Sequence, residues 1–378
     1  MKVKKLFIWF LTLSSIFCFS GPAPAAEKPN TVTIGVFLPM TGSAEIYGQT
    51  EWAGIKIANQ IKPVVLGKKV KLILVDTKSE KTGAANAVSR LIKKNGVCAI
   101  IGEAINENTV AGGQIAEKAK IPIISPSATN PMVTQNRTYV FRVCFSDPFQ
   151  GEVAAKYAYN IMGARKAAIM IDIAQDYCIS LSNYFVKSFI NMGGKIAATT
   201  YCQTGDRDFT VQLSAIMAAK PDVFYMPNYY TEDALTCKQA TELGMKIPIL
   251  SADGARAEEL IEIGEKDVEG LAFTWHFARE GAENDLAKKY IQTFETKNER
   301  EASAFDALGA DAYFVLLDAI ERAKSTRGSR IRTALAATKD FKGVSGTINI
   351  GEDGNATKSA VILNVKDGVF KYLATVNP

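Results

Sequence analysis

Residues 121–131 read IPIISPSATNP, and they indicate how the rest of the chain is folded. The apolar residues 121–124 predict a buried strand that ends at Ser125, in a Ser-Pro turn. Small and hydroxyl-bearing residues follow it: Ser127, Ala128 and Thr129. The pair Asn130-Pro131 is then suited to begin a helix, and hydroxyl and free N–H groups at a helix start can bind an anion. An ordinary strand-to-helix turn with hydroxyl caps explains the same residues, so both interpretations stay open.

A second copy of the motif, IPILS, occupies residues 247–251, and a small polar loop, Ala-Asp-Gly, follows it. Before the first copy, the periodicity predicts alternating strands and helices at 31–38, 44–61, 70–75, 82–95, 97–101 and 106–120. Before the second copy it predicts the same alternation at 166–172, 177–192, 195–201, 209–219, 222–226 and 231–243. A chance match of the motif is possible, but the matching order of elements indicates two related α/β lobes, each a doubly wound parallel sheet.

The chain after residue 271 contains further helices and strands that could complete both of these lobes. Helical periodicity continues at 283–296, 304–323 and 329–337, and strands follow from Gly346 to near Ala374. If these elements complete both lobes, the chain crosses between the lobes more than once. Several crossings make a hinge.

Two lobes of this kind would enclose a cleft, because ligands of open α/β sheets bind outside the carboxyl ends of the strands. The loops expected to line it are 39–48, 102–108 and 125–131 on one side and 173–178, 227–232 and 251–255 on the other. Candidate donors for a carboxylate in these loops are Asn106, Ser127 and Thr129, and Asp253 can accept from an ammonium. The expected aromatic wall consists of Tyr47, Tyr177, Tyr229 and Phe305. The tyrosines could equally be core or rim residues, and Asp253 a solvated turn acid.

The composition, the export signal and the net charge limit the classes of function. The 378 residues are 47% hydrophobic and 22% charged, which is typical of a globular chain of two domains. Residues 1–25 have the basic start, the apolar run and the Ala-x-Ala site of a cleaved secretory signal peptide, so we expect an exported, periplasmic protein. The whole sequence has a net charge of +5, and removing the three lysines of the leader leaves 5 − 3 = +2, which argues against nucleic-acid binding.

Residues suited to catalysis or metal binding are few. An odd number of cysteines follows the leader without close spacing, which excludes a disulfide framework or zinc site, although Cys178 and Cys202 could pair. The one histidine, His276, lies among aromatic residues and is more typical of a packed or solvated side chain than of a catalyst. No hydrolase, zinc-protease, nucleotide-binding or dinucleotide-binding motif is present. We therefore expect no enzyme, no cofactor and no metal.

Longer stretches resemble a known family, the periplasmic substrate-binding proteins of branched-chain amino acid ABC transporters. The stretches that carry the resemblance are IGEAINENT (101–109), ISPSATNP (124–131), FRVCFSDPFQG (141–151), VFYMPNYYTEDA (223–234), SADG (251–254) and AVILNVKDGVFKY (360–372). The likeness covers essentially the whole chain after the leader.

The resemblance implies a type I periplasmic binding protein fold, in which two lobes joined by three crossover strands close on a ligand. On this basis we expect an N-terminal lobe of residues 26–147 plus 277–345 and a C-terminal lobe of 148–276 plus 346–378. It also implies a monomeric receptor without enzymatic activity. Such a receptor captures a branched-chain or other aliphatic amino acid and delivers it to the ABC permease.

The resemblance further implies roles for particular residues. In the family the SPxAT loop, here Ser127, Ala128 and Thr129, holds the α-carboxylate and α-ammonium through backbone groups and the threonine hydroxyl. A tyrosine and an acid 24 residues apart help to hold the ammonium, and Tyr229 and Asp253 have this spacing. Family aromatic positions in the first loop and at the start of the second lobe's first helix match Tyr47 and Tyr177.

Two departures from the family pattern leave the ligand open, and a third, the missing disulfide, bears only on stability. Asn106 stands where a serine is usual, and Asp253 is one methylene shorter than the glutamate of the best-known members. The loop 76–83 lacks the cysteines that form a disulfide in some members. The alternatives are an amide, a urea-like solute or an aromatic acid as ligand, and a sensor subunit for a membrane signalling receptor.

Overall fold

The computed structural model describes residues 31–279 and 284–376, which form an α/β structure of two lobes. The predicted signal peptide, residues 1–25, lies outside the described residues. Over the two described ranges, every helix is too short or too polar to cross a membrane.

The described residues 31–142 form the first sheet and three α-helices. In chain order these elements are β1 (Thr31–Leu38), α1 (Glu45–Ile61), β2 (Val64–Val65), β3 (Lys68–Asp76), α2 (Lys81–Asn95), β4 (Ala99–Ile101), α3 (Asn106–Ala119), β5 (Ile123–Ser125) and β6 (Val140–Arg142). The sheet order is β2-β3-β1-β4-β5-β6, and all neighbours are parallel except β2 and β3. The strands are rich in valine and isoleucine because helices cover both faces of such a sheet.

The remaining elements follow in the same alternating order. They are α4 (Asp147–Lys156), which continues as one π turn, then β7 (Lys166–Asp172), α5 (Asp176–Asn191), β8 (Lys195–Cys202), α6 (Thr210–Ala219), β9 (Val223–Tyr225), α7 (Tyr230–Glu242), β10 (Ile249–Ser251), α8 (Glu258–Gly264) and β11 (Ala272–Trp275). After them come α9 (Asp285–Asn298), α10 (Ala304–Ala323), α11 (Gly328–Ala336), β12 (Phe341–Gly343), β13 (Gly346–Ile350), β14 (Ala356–Thr357), β15 (Ala360–Lys366) and β16 (Val369–Val376).

The two main sheets repeat one topology. The second has the order β16-β15-β11-β10-β9-β7-β8. Its parallel part, β8-β7-β9-β10-β11, has the same strand order as β3-β1-β4-β5-β6 in the first sheet. The prediction of two related lobes with parallel sheets is therefore confirmed.

The repeated serine of the two motifs has the same task in each lobe. Ser125, at the end of β5, donates a hydrogen bond to the carbonyl oxygen of Glu103, just beyond β4, at 2.7 Å. Ser251, at the end of β10, donates to the carbonyl oxygen of Met226, just beyond β9, at 2.9 Å. In both lobes this hydroxyl ties together two neighbouring strand-end loops.

The chain passes between the lobes more than once. Helix α4 packs against α5 and β11 of the second lobe, whereas α9 and α10 pack against α1 of the first. Strands β15 and β16 then extend the second sheet in antiparallel pairing, and β12, β13 and β14 form a small separate sheet. The lobe boundaries at 147/148, 276/277 and 345/346 stay predictions.

Two details of the sequence interpretation need correction. Asn130-Pro131 begins only a single 3-10 turn, Pro131–Val133, because the chain has to turn at once to place β6 beside β5. Asn130 caps this turn, and its Oδ1 accepts from the N–H of Met132 at 2.8 Å. Cys178 and Cys202 do not pair: both are buried free thiols, and burial raises the pKa of the Cys178 thiol.

Helices α1 and α10 cross in backbone contact because each has a glycine at the crossing. A Cβ on Gly54 would overlap the carbonyl oxygen of Asp306, and one on Gly309 would overlap that of Glu51. The crossing brings Tyr47 of α1 and Phe305 of α10 together, with ring centroids 5.2 Å apart.

We expect Gly54→Ala to lower the free energy of unfolding by about 2 kcal/mol or more, because the added methyl group has no room between two backbones. Thermal or urea denaturation measures this. The exposed Lys56 on the same helix supplies the control, Lys56→Ala, which should leave the transition unchanged. Equal transitions for Gly54→Ala and the control would contradict the close crossing.

Candidate ligand-binding site

Strand-end loops of both lobes enclose a cavity of about 330 Å³, which includes its part open to solvent. Eight of the nine predicted site residues line it: Tyr47, Asn106, Ser127, Thr129, Tyr177, Tyr229, Asp253 and Phe305. Ala104, Ile105 and Gly254 complete the wall. The cavity lies at the carboxyl ends of the parallel strands, where ligands of open α/β sheets bind.

Ala128 is the predicted residue that the structure does not bring to the wall. Its N–H donates to Ser125 Oγ at 3.0 Å, and its carbonyl oxygen accepts from Arg142 Nη1 at 2.7 Å. Both backbone groups of Ala128 are thus bonded within the protein.

Direct hydrogen bonds join the lobes across the cleft. The hydroxyl of Tyr47 donates to the carbonyl oxygen of Gly254 at 2.8 Å. The N–H of Asp176 donates to Glu107 Oε1 at 2.7 Å, and the carbonyl oxygen of Asp176 accepts from Asn130 Nδ2 at 3.2 Å. The structure therefore represents a closed arrangement of the two lobes.

The buried guanidinium of Arg142 holds the loop after β5. Its Nη2 donates to the carbonyl oxygen of Asn130 at 2.8 Å and to Thr134 Oγ1 at 3.2 Å, in addition to the Nη1 bond to Ala128. The N–H of Asn130 donates in turn to Asn106 Oδ1 at 3.0 Å. Sequence reasoning missed Arg142, although a charged residue at the end of an apolar strand was an available signal.

Asp253 is a buried carboxylate with donors on both oxygens. His276 Nε2 lies 2.7 Å from Oδ2, while Gln150 Nε2 and the Tyr177 hydroxyl donate to Oδ1 at 2.6 and 2.7 Å. Burial raises the pKa of Asp253, but the bonds from His276, Gln150 and Tyr177 outweigh it and hold the pKa below its usual value. Asp253 is therefore an anion, and the alternative of a solvated turn acid is wrong, since only 3% of the residue is exposed.

Of the described residues that line the cavity, Asp253 is the one that carries a charge. Its two partners behind the wall are His276 and Gln150, and the sequence did not predict that either of them contacts Asp253. His276 was visible only as a histidine in an aromatic run, and Gln150 lies on α4, which was not predicted. In the described part of the chain, the wall thus presents one negative charge and no cationic side chain, which favours a cationic group on a ligand.

Glu51 of α1 is a second buried acid next to the cavity. Its Oε1 accepts from Ser127 Oγ at 2.5 Å, and its Oε2 has no hydrogen-bond partner in the described part of the chain. Burial raises the pKa of Glu51 well above its usual range, the bond from Ser127 opposes this in part, and Glu103 and Asp306 add to it. Glu51 is thus held as a neutral acid, unlike Asp253.

The aromatic residues form one continuous wall. The rings of Tyr177 and Tyr229 stack with an interplanar angle of 7° and centroids 5.4 Å apart. Tyr47 lies 5.5 Å from Tyr229 and contacts Phe305 on its other side. Such a surface suits an apolar group. Within the described ranges, no cluster of histidine, cysteine, aspartate or glutamate could hold a metal ion.

We expect Arg142→Lys to loosen the loop at 127–130, because one ammonium nitrogen cannot reproduce the planar fork that reaches three acceptors. Each buried carbonyl left without a partner costs about 1–3 kcal/mol. Hydrogen–deuterium exchange should increase at residues 126–131, and the melting temperature should fall. Arg90→Lys, at an exposed position, serves as the control, and equal exchange in both variants would exclude this role for Arg142.

We expect Glu51→Gln to stabilise the protein increasingly as the pH rises. The folded chain keeps the Glu51 proton to a higher pH than the unfolded chain does, so ionisation after unfolding lowers stability above about pH 4.5. Glutamine has no such ionisation. The melting temperature of the variant relative to the wild type should rise from about pH 4 to about pH 8, and that of the exposed control Glu299→Gln should not. A difference that does not change with pH would contradict the neutral state of Glu51.

Solved structures share this architecture. The leucine-binding protein LivK of Thermotoga maritima superimposes with a TM-score of 0.90 and 48% sequence identity, over 92% of this chain and 99% of that one. LivJ of Streptococcus pneumoniae, solved in complex with isoleucine, gives a TM-score of 0.86 and 30% identity, over 92% of this chain and all of that one.

Sequence comparisons agree with the structural ones. The Leu/Ile/Val-binding protein homolog 3 of Brucella melitensis is 29% identical over 350 residues, which are 91% of this chain and 93% of that protein. The family model described as periplasmic binding protein matches residues 31–369. The chain therefore belongs to the periplasmic binding protein family, among the relatives of the leucine-, isoleucine- and valine-binding proteins of ABC transporters.

Proposed function

We propose that the protein is an extracytoplasmic receptor that binds a branched-chain or other aliphatic amino acid in the cavity and delivers it to an ABC permease. One observation carries the proposal: Asp253 is a buried anion, and none of the described residues that line the cavity with it is cationic. An α-ammonium supplies the missing positive charge. A buried charge without such a partner is strongly unfavourable, so the ligand and the carboxylate stabilise each other.

The other parts of an amino acid find matching groups on the wall. Asn106, Ser127 and Thr129 offer polar groups for the α-carboxylate. The apolar side chain packs against Tyr177, Tyr229 and Phe305. A backbone contribution from Ala128 to ligand binding rests on the family resemblance alone.

Delivery to a permease is supported by the family resemblance and by the streptococcal relative, which is described as a branched-chain amino acid transporter substrate binding protein. Closure of the lobes buries the ligand, and its binding energy selects the closed form. We propose that the protein is exported by its leader, works in the periplasm as a monomer and catalyses no reaction. The name of the Thermotoga relative, and the isoleucine complex of the streptococcal one, favour an aliphatic side chain.

Titration of the unfolded, dialysed and refolded protein with single amino acids tests the proposal. We expect leucine, isoleucine or valine to bind and to raise the melting temperature. Asp253→Asn should weaken leucine about 100-fold or more, because it removes a buried charged partner. It should not weaken 4-methylpentanoate, which is leucine without the ammonium and has no group to pair with the Asp253 anion. The exposed Asp208 gives the matched control, Asp208→Asn.

An absence of heat and of a melting shift across all amino acids would end the amino-acid proposal. Equal losses for leucine and 4-methylpentanoate would remove Asp253 from its role. Binding of an amide, a urea-like solute or an aromatic acid in place of amino acids would establish the alternative ligands. Genes for a permease and an ATPase beside this one favour transport, and a kinase or chemoreceptor gene favours a sensor subunit.

A further inference from the structure

We infer that His276 is a positioning residue for the ligand ammonium: it fixes Asp253 as an oriented anion, and protonation of His276 in acid weakens the binding of amino acids. This inference rests on the function proposed above, in which Asp253 receives the ammonium.

The geometry around His276 holds its imidazole in one place. The residue follows β11 and is buried, with its ring stacked on Phe145 at a centroid distance of 3.8 Å and an angle of 22°. Trp275 and Phe305 lie against its other sides, with centroids 6.1 and 6.4 Å away. Since the ring cannot turn away, Nε2 remains 2.7 Å from Asp253 Oδ2.

The remaining donors fix the plane of the carboxylate. Gln150 and Tyr177 occupy Oδ1, so Asp253 accepts three hydrogen bonds from the residues that the structure describes. A carboxylate can accept about four. One acceptor direction is left, and it belongs to a side chain that lines the cavity. An ammonium N–H can therefore meet Asp253 in a single geometry.

The protonation state of His276 follows from its partners. Nε2 must carry the proton to donate to Asp253, while Nδ1 is buried and has no hydrogen-bond partner in the described residues. A second proton would place an N–H at Nδ1 without an acceptor, which is unfavourable. Burial lowers the pKa of His276, the bond to Asp253 acts against this, and Lys358 adds to the lowering. At neutral pH the pair thus carries one negative charge, and in acid it carries none.

Other ionisable groups surround this pair, and their titration has to be distinguished from that of His276. Lys358 has a pKa lowered to about 8 by burial, and Asp311 lies beside it. On the side of α4 lies Asp147, whose pKa burial raises to about 7, and Cys144 is near Asp253. Since Asp147 titrates close to the same range, a variant at His276 itself is needed to assign any pH effect.

The first experiment measures leucine affinity by calorimetry from about pH 7.5 to about pH 4.5. Below the pKa of His276, wild-type affinity should fall by up to about tenfold per pH unit, and binding should release a proton. His276→Gln can donate from a similar position but cannot titrate, so it should lose a few-fold in affinity at neutral pH and lack this acid dependence. His276→Phe cannot donate and should bind at least about tenfold more weakly at every pH.

The control is 4-methylpentanoate, whose binding should not depend on His276 in this way. An acid dependence of His276→Gln equal to that of the wild type would assign the effect to Asp147 or another group and overturn the inference. Wild-type affinity in a folded His276→Phe variant would remove the positioning role. Circular dichroism and melting temperature establish that each variant is folded.

A second readout does not need any ligand. His276 is the one histidine of the sequence, so its imidazole proton resonance in the untagged protein needs no assignment. Its pKa by NMR should lie below about 6.5 and should fall further in Asp253→Asn, which removes the charge that favours the imidazolium. An unchanged pKa in that variant would overturn the coupling between the two residues. A failure of the amino-acid proposal itself would appear separately, as the absence of leucine binding by the wild type at any pH.

Discussion

The hydrogen bonds that hold the backbone at 128–130 are the constraint on which the site depends. Arg142 binds the carbonyl oxygens of Ala128 and Asn130, and the N–H of Asp147 donates to that of Thr129 at 3.0 Å. Three consecutive carbonyl groups are thus bound by donors at the end of β6 and at the start of α4. Because buried carbonyls without partners are costly, this loop has one stable conformation, and the wall residues Ser127 and Thr129 are placed by it.

The same segment reaches the other side of the cavity. Helix α4 begins at Asp147, packs in the second lobe and carries Gln150, which donates to Asp253. The stretch from Arg142 to Gln150 therefore contacts the loop of one lobe and the carboxylate of the other, at a place where the chain passes between lobes. A ligand bound between the lobes therefore interacts with groups whose relative positions are fixed by this one segment.

Local sequence was sufficient to predict most of the repeating strands and helices, although not β6 or α4, because apolar periodicity and turn residues act over short distances. The echo of IPIIS in IPILS located the two equivalent strands β5 and β10. It gave no sign of the short 3-10 turn after Asn130, which depends on where β6 must lie. The wall residues Thr129 and Asp253 could be named because strand-end loops converge in this fold.

The groups behind the wall could not be predicted in this way. Glu51, Arg142, Gln150 and His276 are distant in sequence from the residues they bond, and no local pattern records such a pair. These hydrogen-bond partners determine whether a buried acid next to the cavity is ionised. Asp253 and Glu51 are both buried acids, yet three donors keep the first ionised and a single hydroxyl leaves the second neutral. Residue type alone does not decide which acid carries the charge.

The contact of α1 with α10 limits how this cavity can change. Gly54 and Gly309 let the two backbones touch, so main-chain atoms set the distance between the helices. This distance cannot change to accommodate a larger ligand. Any redesign toward bulkier or smaller ligands must therefore exchange the side chains at Tyr47 and Phe305 and leave the helices where they are. The backbone of the two helices is therefore fixed, and only the side chains that they carry can be exchanged.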